Sequence, residues 1–384
     1  MFLTYRTITI IFTFLFITCS AIAQQTLNKS IMHDGIQREY ILYIPANYTG
    51  NNAVPLVLNF HGYGSNASEQ MWYGDFRYIA DTAGYIIIHP QGTLFNGITH
   101  WNVGGWTVGS TTDDIGFIDA LIDSIVVNYN IELTRIYATG MSNGGFMSFL
   151  LASQLGEKIA AIASVSGSMT PETYNNSNPQ HPTPILQIHG TSDGVVPYNG
   201  EIWTLPIDEA LQYWVNYNNC NETPAITSLP DIDPNDGSTV EHIVYHGGDH
   251  SVQVEHFKII GGGHTWPGNI FGGAGTNYDI DASAEIWNFF SRYDINGLMV
   301  VTGAETSNNN DFKWSAYPNP TKSFIKIVNG FQGPKEYRIQ SMEGRVLISG
   351  VIDSENYRID LSGLPAGFYL LRSGSQSIKI LKTE

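Results

Sequence analysis

The most informative short motif in the chain is G-M-S-N-G, at residues 140–144. A serine with glycines two places before and two places after it is typical of a nucleophile elbow, a sharp turn from a strand into a helix. Residues 136–139 favour a strand and residues 145–155 a helix, as this turn requires. Larger side chains at the two glycine positions would collide with neighbouring backbone. The motif therefore predicts Ser142 as a nucleophile at the end of a strand.

A nucleophilic serine needs a base, and the base needs a group that orients it. With this kind of turn the chain order is serine, acid, histidine. Asp193 follows the predicted buried strand 185–188, and His264 lies in the glycine-rich segment 261–268 after another predicted strand. We therefore predict Asp193 as the acid and His264 as the base. An Asx turn at Asp193 and a plain glycine turn around His264 stay open as alternatives.

Acyl transfer at such a serine also requires two backbone N–H groups that stabilise the negatively charged oxygen of the intermediate. Asn143 directly follows the nucleophile and is expected to supply one of them. The H-G-Y-G segment at residues 61–64 follows the apolar run 54–60, and we predict the backbone N–H of Tyr63 as the other. Three tryptophans are candidates for the walls of a substrate pocket, although tryptophan is more often a core residue: Trp101, Trp106 and Trp266.

These residues need a framework, and strand-like and helix-like runs alternate over most of the chain. The predicted strands are 38–45, 54–60, 85–89, 136–139, 159–165, 185–188, 240–245 and 252–260, and the predicted helices are 70–82, 115–127 with Asp114 as N-cap, 145–155, 207–217 and 282–293. This alternation predicts an α/β fold with a doubly wound, mostly parallel sheet. The carboxyl ends of its strands, where ligands bind in such folds, carry the residues described above.

The pattern changes near Gly297. Residues 301–311 are polar and contain three consecutive asparagines, which predicts a linker at residues 298–313. A hydrolytic domain is predicted before it, at residues 24–297. Residues 314–384 contain short strand-like runs separated by glycine or proline, which predicts a small all-β sandwich. The first of these regions holds nearly all of the acidic excess, whereas the second is net basic. This difference favours two separately built modules.

The amino-terminal 23 residues predict a cleaved signal peptide. Arg6 precedes an apolar run at residues 8–17, and A-I-A at residues 21–23 is typical of a cleavage site. An uncleaved anchor is the alternative, but the run is short for a stable membrane span. Cleavage would remove Cys19 and leave Cys220 alone, which excludes an internal disulfide in the mature chain. We expect an exported protein with no stable membrane span.

The net charge and the spacing of the histidines argue against several classes of partner and ligand. A net charge of −17 repels phosphate backbones, which argues against nucleic acid and anionic membranes as partners. We predict no cofactor, and the histidines at 246, 250 and 256 lack a recognised metal-ligand spacing, so no metal site is assigned. The aspartates of residues 231–237 resemble a calcium loop, but the glycine comes one place late for an EF-hand and a turn is the preferred interpretation.

Six motifs together carry a resemblance to a known family: HDGIQREYILYIP, LNFHGYG, DDIGFIDALID, ATGMSNGG, IHGTSDGVVPY and GGGHTWPG. From Ile31 to about Tyr293 the chain resembles the secreted poly(3-hydroxybutyrate) depolymerase-like and feruloyl esterase group of the α/β-hydrolase fold. The resemblance implies hydrolysis of carboxylic esters by a triad of Ser142, Asp193 and His264, with polysaccharide feruloyl or acetyl esters or polyesters as substrates. Many members carry disulfides near the site, and this chain departs from them there.

The carboxyl-terminal module resembles the C-terminal sorting domain of the type IX secretion system. The motifs are YPNP at residues 317–320, LSGLPAGFYLL at residues 361–371 and a basic end with Lys379 and Lys382. This resemblance implies the type IX secretion machinery as a partner, and secretion or attachment to the cell surface. A carbohydrate-binding β-sandwich is the alternative.

Two other functions stay open for the first module. One is a serine peptidase on the same fold, which would cleave a peptide anilide as well as a p-nitrophenyl ester. The other is a non-catalytic binding protein built on a hydrolase fold, which would not react with a fluorophosphonate.

Overall fold

A computed structural model describes residues 24–299, 315–317, 319, 321–328, 335–341, 345–353, 357–365, 367–373 and 376–382. The chain divides into two compact units, Met1–Val300 and Val301–Glu384. The predicted signal peptide at residues 1–23 and most of the predicted linker at residues 298–313 lie outside the described residues. The domain boundaries at 297 and 314 stay predictions.

The first unit is organised around one ten-stranded sheet within residues 24–299. Strands of this unit, in chain order, are β1 (Gln25–His33), β2 (Ile36–Ile44), β3 (Val54–Phe60), β4 (Ile86–Pro90), β5 (Thr93–Phe95), β6 (Ile98–His100), β7 (Ile131–Met141), β8 (Ala161–Val165), β9 (Ile185–Gly190), β10 (Ala225–Ser228), β11 (Thr239–Tyr245), β12 (Val254–Ile260), β13 (Tyr293–Asp294) and β14 (Gly297–Leu298). The order across the sheet is β1-β2-β4-β3-β7-β8-β9-β12-β11-β10. The central strands from β4 to β12 run parallel, and the outer strands β1, β2, β10 and β11 are antiparallel.

Helices cover both faces of the sheet, because its central strands are apolar on both sides. The helices are α1 (Ala67–Tyr73), α2 (Arg77–Ala83), α3 (Asp114–Asn128), α4 (Asn143–Gln154), α5 (Pro171–Asn175), α6 (Ile207–Tyr217) and α7 (Ala282–Phe290), with short 3-10 turns at Gly105–Thr107 and Asp249–Ser251. The α3, α4 and α6 helices pack in one core, and α2 and α7 pack in the other. None of the helices in the described residues is long and apolar enough to cross a lipid bilayer.

The α/β prediction is confirmed, with local corrections. The predicted helix 70–82 is two short helices, because the chain leaves the helical conformation at Gly74. Asp114 is not the N-cap of α3: the Asp113 carboxylate accepts the Gly116 N–H, while Asp114 is buried. The edge strands β1 and β10 were not predicted, since both are largely polar and exposed.

The second unit contains only β structure among its described residues. Its strands are β15 (Ser315–Tyr317), β16 (Phe324–Val328), β17 (Lys335–Ser341), β18 (Val346–Ile352), β19 (Tyr357–Asp360), β20 (Gly367–Ser373) and β21 (Gln376–Lys382). They form a three-stranded sheet, β15-β16-β19, and a four-stranded sheet, β18-β17-β20-β21. Side chains from both sheets, such as Ile325 and Ile339, share one buried core. This arrangement is the small antiparallel sandwich that the sequence predicts.

Candidate active site

Ser142 lies at the turn between β7 and α4, with φ 55° and ψ −119°. This conformation is rare for a residue with a side chain, so the surrounding structure must enforce it. The two glycines of the motif make the turn possible. A Cβ at Gly140 would lie 2.5 Å from the Phe60 carbonyl oxygen, and one at Gly144 would lie 2.2 Å from the same atom. The Ser142 N–H is fixed by a 2.8 Å bond to the carbonyl of Val165, at the end of β8.

The turn leaves the Ser142 hydroxyl available for chemistry. Ser142 occupies the N-cap position of α4, yet its side chain makes no capping hydrogen bond. It is half-buried. The amino terminus of α4 directs partial positive charge to the same place, which would stabilise a developing oxyanion.

Asp193 and His264 are joined directly although they lie 71 residues apart. His264 Nδ1 lies 2.7 Å from Asp193 Oδ2, and the carboxylate is fully buried while the ring is partly exposed. The carboxylate must accept this bond, so Nδ1 carries the hydrogen and Nε2 is left free to accept a proton. The pair therefore has the arrangement of an oriented general base.

Further donors hold the Asp193 carboxylate in its charged form. Its Oδ1 accepts the backbone N–H groups of Val195 and Val196, at 2.8 Å each. The buried His189 ring lies 3.4 Å from Oδ2. Burial acts to raise the pKa of Asp193, but the hydrogen bond and charge of His264, together with His189 and the Val196 amide, outweigh it and lower the pKa. Asp193 thus stays ionised beside the imidazole.

Close packing of two loops brings this pair together. Asp193 follows β9 and His264 follows the neighbouring parallel strand β12, so both loops leave the same edge of the sheet. A Cβ at Gly190 would lie 2.2 Å from the Gly262 carbonyl oxygen. Ser192 N–H donates to that same carbonyl at 2.9 Å. Glycine at 190 is therefore required for the two loops to meet.

The two predicted oxyanion donors are backbone amides of separate segments. Asn143 is the first residue of α4, and Tyr63 lies in the loop after β3. Within the described residues neither backbone N–H donates a hydrogen bond to the protein. Unpaired amides next to a nucleophile are suited to bind a negatively charged oxygen.

Ser142 and His264 line one cavity of about 540 Å³. The other residues that line it are Gly62, Tyr63, Ser65, Ser68, Glu69, Gln70, Trp72, Tyr73, Met141 and Phe271. Within the described part of the chain, no hydrogen bond joins the Ser142 hydroxyl to the His264 ring. Such bonds are often long or poorly aligned in enzymes without substrate, and tighten in the reacting complex.

Comparisons with known proteins match two separate parts of the chain. A phospholipase/carboxylesterase family model matches residues 108–221, a span that includes Ser142 and Asp193 and ends before His264. A model of the secretion system C-terminal sorting domain matches residues 315–383. Residues 108–221 are thus similar to phospholipases and carboxylesterases, and residues 315–383 are similar to secretion-system sorting domains. The sorting domain indicates type IX secretion, to the cell surface or the medium.

The aligned share of this chain differs from one similar protein to the next. It is 28% identical to the bifunctional acetylxylan esterase/xylanase XynS20E of Neocallimastix patriciarum, over 73% of this chain and 37% of that protein. It is 29% identical to feruloyl esterase B of Piromyces equi, over 59% of this chain and 42% of that protein. It is 26% identical to feruloyl esterase D of Neurospora crassa, over 70% of this chain and 86% of that protein. The chain therefore spans less than half the length of the first two relatives.

Two of the three tryptophans predicted as pocket walls in the hydrolase unit are core residues. Trp101 and Trp266 are fully buried. The Trp266 indole donates to Ser283 Oγ at 3.2 Å, and its ring packs edge-to-face on Phe76. The prediction for Trp101 and Trp266 is therefore wrong. Trp106 is half-buried and lies edge-on to the Tyr63 ring of the cavity, so its role in substrate binding stays a prediction.

Trp101 instead connects the two oxyanion segments. Its indole N–H donates to the His61 carbonyl at 3.0 Å, directly before the Gly62–Tyr63 segment. The Asn143 side chain bonds to the Trp101 backbone twice, accepting its N–H at 2.7 Å and donating to its carbonyl at 3.1 Å. One buried residue therefore fixes both amides relative to each other. The sequence carried no periodic signal for this role.

A buried ion pair supports the segment that carries Trp101. Arg38 Nη2 lies 2.6 Å from Asp114 Oδ1, with both side chains almost fully buried. Asp114 Oδ2 accepts the Asn102 N–H at 2.8 Å, one residue after Trp101. The Asn102 side chain in turn donates to the Thr112 carbonyl at 2.9 Å. Charge buried far from the cavity thus determines where Trp101 lies.

The His61 side chain braces the loop that carries Tyr63. Its Nδ1 lies 2.8 Å from the Gly62 carbonyl, and its Nε2 accepts the Gly92 N–H at 2.9 Å. Burial lowers the pKa of His61 to about 4. The ring is therefore neutral near pH 7, with its hydrogen on Nδ1.

Two weaker sequence features also have structural explanations. In the segment that resembles a calcium loop, Asp233 and Asp236 accept backbone N–H groups of their own turn, from Asn235 and Ser238. These bonds agree with the interpretation of this segment as a turn. Cys220 is a buried free thiol, and burial raises its pKa, which disfavours the reactive thiolate.

Proposed function

We propose that the chain is a secreted carboxylesterase that acts through Ser142, His264 and Asp193. The observation that carries the proposal is the shared cavity: a strained, uncapped serine at a strand-to-helix turn faces a histidine whose far nitrogen is bonded to a buried carboxylate. Serine, base and orienting acid are the groups that nucleophilic acyl transfer requires.

The reaction runs in two halves. His264 Nε2 takes the Ser142 proton as the hydroxyl oxygen attacks the ester carbonyl carbon, and the Asn143 and Tyr63 amides bind the oxyanion. The imidazolium then protonates the departing alcohol and an acyl-enzyme remains. Water, deprotonated by His264, attacks this ester and releases the acid, while Asp193 stabilises the imidazolium in each half.

Feruloyl or acetyl esters of polysaccharides are the proposed substrates. Relatives named as acetylxylan and feruloyl esterases support this class. The cavity supports it too, because it combines the aromatic side chains Trp72, Tyr73 and Phe271 with the polar Ser68 and Glu69. Polyesters stay a further prediction, to be compared in the same assay.

The test is an ester panel with the secreted protein: methyl ferulate, acetylated xylan, a hydroxybutyrate oligomer and an aromatic polyester. Wild type is expected to hydrolyse at least one polysaccharide-type ester, and Ser142→Ala is expected to lose about 10⁴-fold or more in kcat. A fluorophosphonate should label wild type and leave Ser142→Ala unlabelled. Equal activity of the two proteins would refute the assignment of the nucleophile, and cleavage of a peptide anilide in preference to esters would favour the peptidase.

A further inference from the structure

A second cavity, of about 740 Å³, lies beside the catalytic cavity. Strands β1 and β2 and the first turn of α1 contribute most of the residues that line it. Ser68, in that first turn, lines both cavities. The two cavities therefore meet at Ser68, within the first unit of the molecule.

The register of the paired strands β1 and β2 explains why polar side chains line this cavity. Ser30 lies opposite Glu39, and Asn28 lies opposite Ile41. Residues directly opposite each other across a strand pair share one face of the sheet. The alternate residues of β2, Arg38 and others, are buried on the core side, so Ser30, Glu39 and Asn28 lie on the opposite face.

Helix α1 covers only one end of this face. Ile41 packs against Ala67 and Met71 of α1 in a small apolar cluster. The polar residues beyond Ile41 stay open to solvent, and Asn28, Ser30 and Glu39 are all exposed. The result is a groove with a strand floor and a helix wall, which we call the strand groove and define by Asn28, Ser30, Gln37, Glu39, Asn66 and Gln91.

The lining of the strand groove selects for a particular ligand chemistry. Amide and hydroxyl side chains are the most frequent in it. Among the residues that line the whole cavity, one lysine, Lys29, balances one glutamate, Glu39. Internal bonds hold part of it in place: Gln91 Oε1 accepts the Ala67 N–H at 2.9 Å, and Asn66 Oδ1 accepts the Glu69 N–H at 2.9 Å. Fixed donors and acceptors without net charge match a neutral, hydroxyl-rich ligand better than a polyester chain, which offers acceptors alone.

We propose that the strand groove binds sugar units next to the esterified one in a neutral polysaccharide. The inference rests on the proposed esterase function and extends it. The acyl group would lie toward Trp72 and Phe271, and the sugar chain would pass Ser68 into the groove. A polysaccharide is favoured over a polypeptide because most of the lining residues carry amide or hydroxyl groups, whereas strand-like peptide recognition also needs pockets for alternating side chains.

A bulky substitution in the groove tests the proposal in the full chain. Gln37→Trp places a large ring at an exposed β2 position that lines the groove, and Thr227→Trp places the same ring at an exposed β10 position on the other edge of the sheet. With acetylated xylan, Gln37→Trp should raise KM about tenfold, the effect of losing one or two hydrogen bonds. With p-nitrophenyl acetate it should equal wild type, and Thr227→Trp should equal wild type with both substrates.

A binding measurement makes the result independent of turnover. In the Ser142→Ala background, deacetylated xylan should retard the protein in native gels, and a second variant, Asn28→Ala/Gln37→Ala, should remove the retardation. Unchanged retardation and an unchanged KM in both groove variants would overturn the inference, as would displacement of xylan by a neutral glycine–serine polypeptide. Failure of wild type to hydrolyse p-nitrophenyl acetate would contradict the proposed function instead, because that small ester does not reach the groove.

Discussion

The two sides of the active site are held in place by different means. On the oxyanion side, Trp101, Asn143 and His61 are fully buried and share several hydrogen bonds between separate segments. On the histidine side, the His264 ring is partly exposed, and one bond to Asp193 orients it. The loop that follows His264 carries Phe271, which is 73% exposed.

This difference has a consequence for mutagenesis. Where several hydrogen bonds define one geometry, the remaining bonds keep that geometry when one is removed. The expected change in the transition-state free energy is then moderate. Where one bond selects the tautomer and the orientation of the base, its loss removes the base. Substitutions on the histidine side should therefore cost more activity than substitutions on the oxyanion side.

The largest effect is expected for Asp193→Asn. An amide at this position can donate to Nδ1 and so favour the wrong imidazole tautomer, and it cannot stabilise the imidazolium. We expect kcat on a p-nitrophenyl ester to fall about 10⁴-fold, as in other triads. The matched control is Asp208→Asn, whose carboxylate accepts the Tyr198 hydroxyl at 2.7 Å outside the cavity. A loss of less than about tenfold in Asp193→Asn would show that Asp193 does not orient the base.

The second effect is a loss of stability when the buried Arg38–Asp114 pair, which supports the segment that carries Trp101, is broken. Asp114→Ala leaves Arg38 buried without a counter-charge and releases the Asn102 N–H. Breaking a buried pair in this way costs about 3–5 kcal/mol of unfolding free energy. Urea denaturation measures it. The double variant Arg38→Met/Asp114→Leu, which removes both charges, should recover most of the loss, and a double variant as unstable as Asp114→Ala would contradict this account.

The third effect is smaller and tests the bridge made by Trp101. Trp101→Phe keeps an aromatic ring against Phe60 but removes the N–H bonded to His61. We expect kcat to fall about tenfold with KM nearly unchanged, which corresponds to ~1.4 kcal/mol in the transition state.

Trp214→Phe is the matched control for that substitution. Trp214 is equally buried, and its indole N–H has no hydrogen-bond partner among the described residues. Trp214→Phe therefore replaces the indole by the smaller phenyl ring without removing a hydrogen bond. Its kcat should stay within about twofold of wild type. If both variants lose activity equally, the indole bond of Trp101 does not position the oxyanion loop.

Sequence patterns were sufficient where one residue type or one period determines the outcome. The glycine pair around Ser142 predicts the turn because only glycine fits beside the Phe60 carbonyl. Strand β3 and helix α6 were predicted with their full bounds, since β3 is a continuous apolar run and the apolar residues of α6 recur at helical spacing. The chain order of serine, acid and histidine was enough to select Asp193 and His264, which the structure brings within 2.7 Å.

The remainder depends on contacts between distant segments. Trp101 was assigned to a pocket wall because a tryptophan suits an aromatic pocket, whereas its function depends on pairing with Asn143, 42 residues away. Asp114 was assigned as an N-cap from its position before an apolar run, but burial beside Arg38 decides its role. Edge strand β1 has no apolar alternation, so only its pairing with β2 defines it.

The smallest effect concerns pH and depends on two buried histidines, His61 on the oxyanion side and His89 in β4. Burial lowers the pKa of His61 to about 4 and that of His89 to about 3, from 6.5. Below pH 6.5 the unfolded chain therefore binds protons that the folded chain does not, and stability falls as the pH falls. Each such histidine should cost about 1 kcal/mol of unfolding free energy at pH 5.5 relative to pH 7.

Substitution of His89 measures its contribution to the pH dependence of the unfolding free energy. Both ring nitrogens of His89 lack partners among the described residues, so His89→Leu removes the titration without removing a hydrogen bond. The loss of unfolding free energy between pH 7 and pH 5.5 should be smaller than in wild type by about 1 kcal/mol, measured by urea denaturation at both values. His246→Leu, at an exposed position, should leave the wild-type pH dependence unchanged. An unchanged dependence in His89→Leu would mean that His89 is not held neutral in the folded chain.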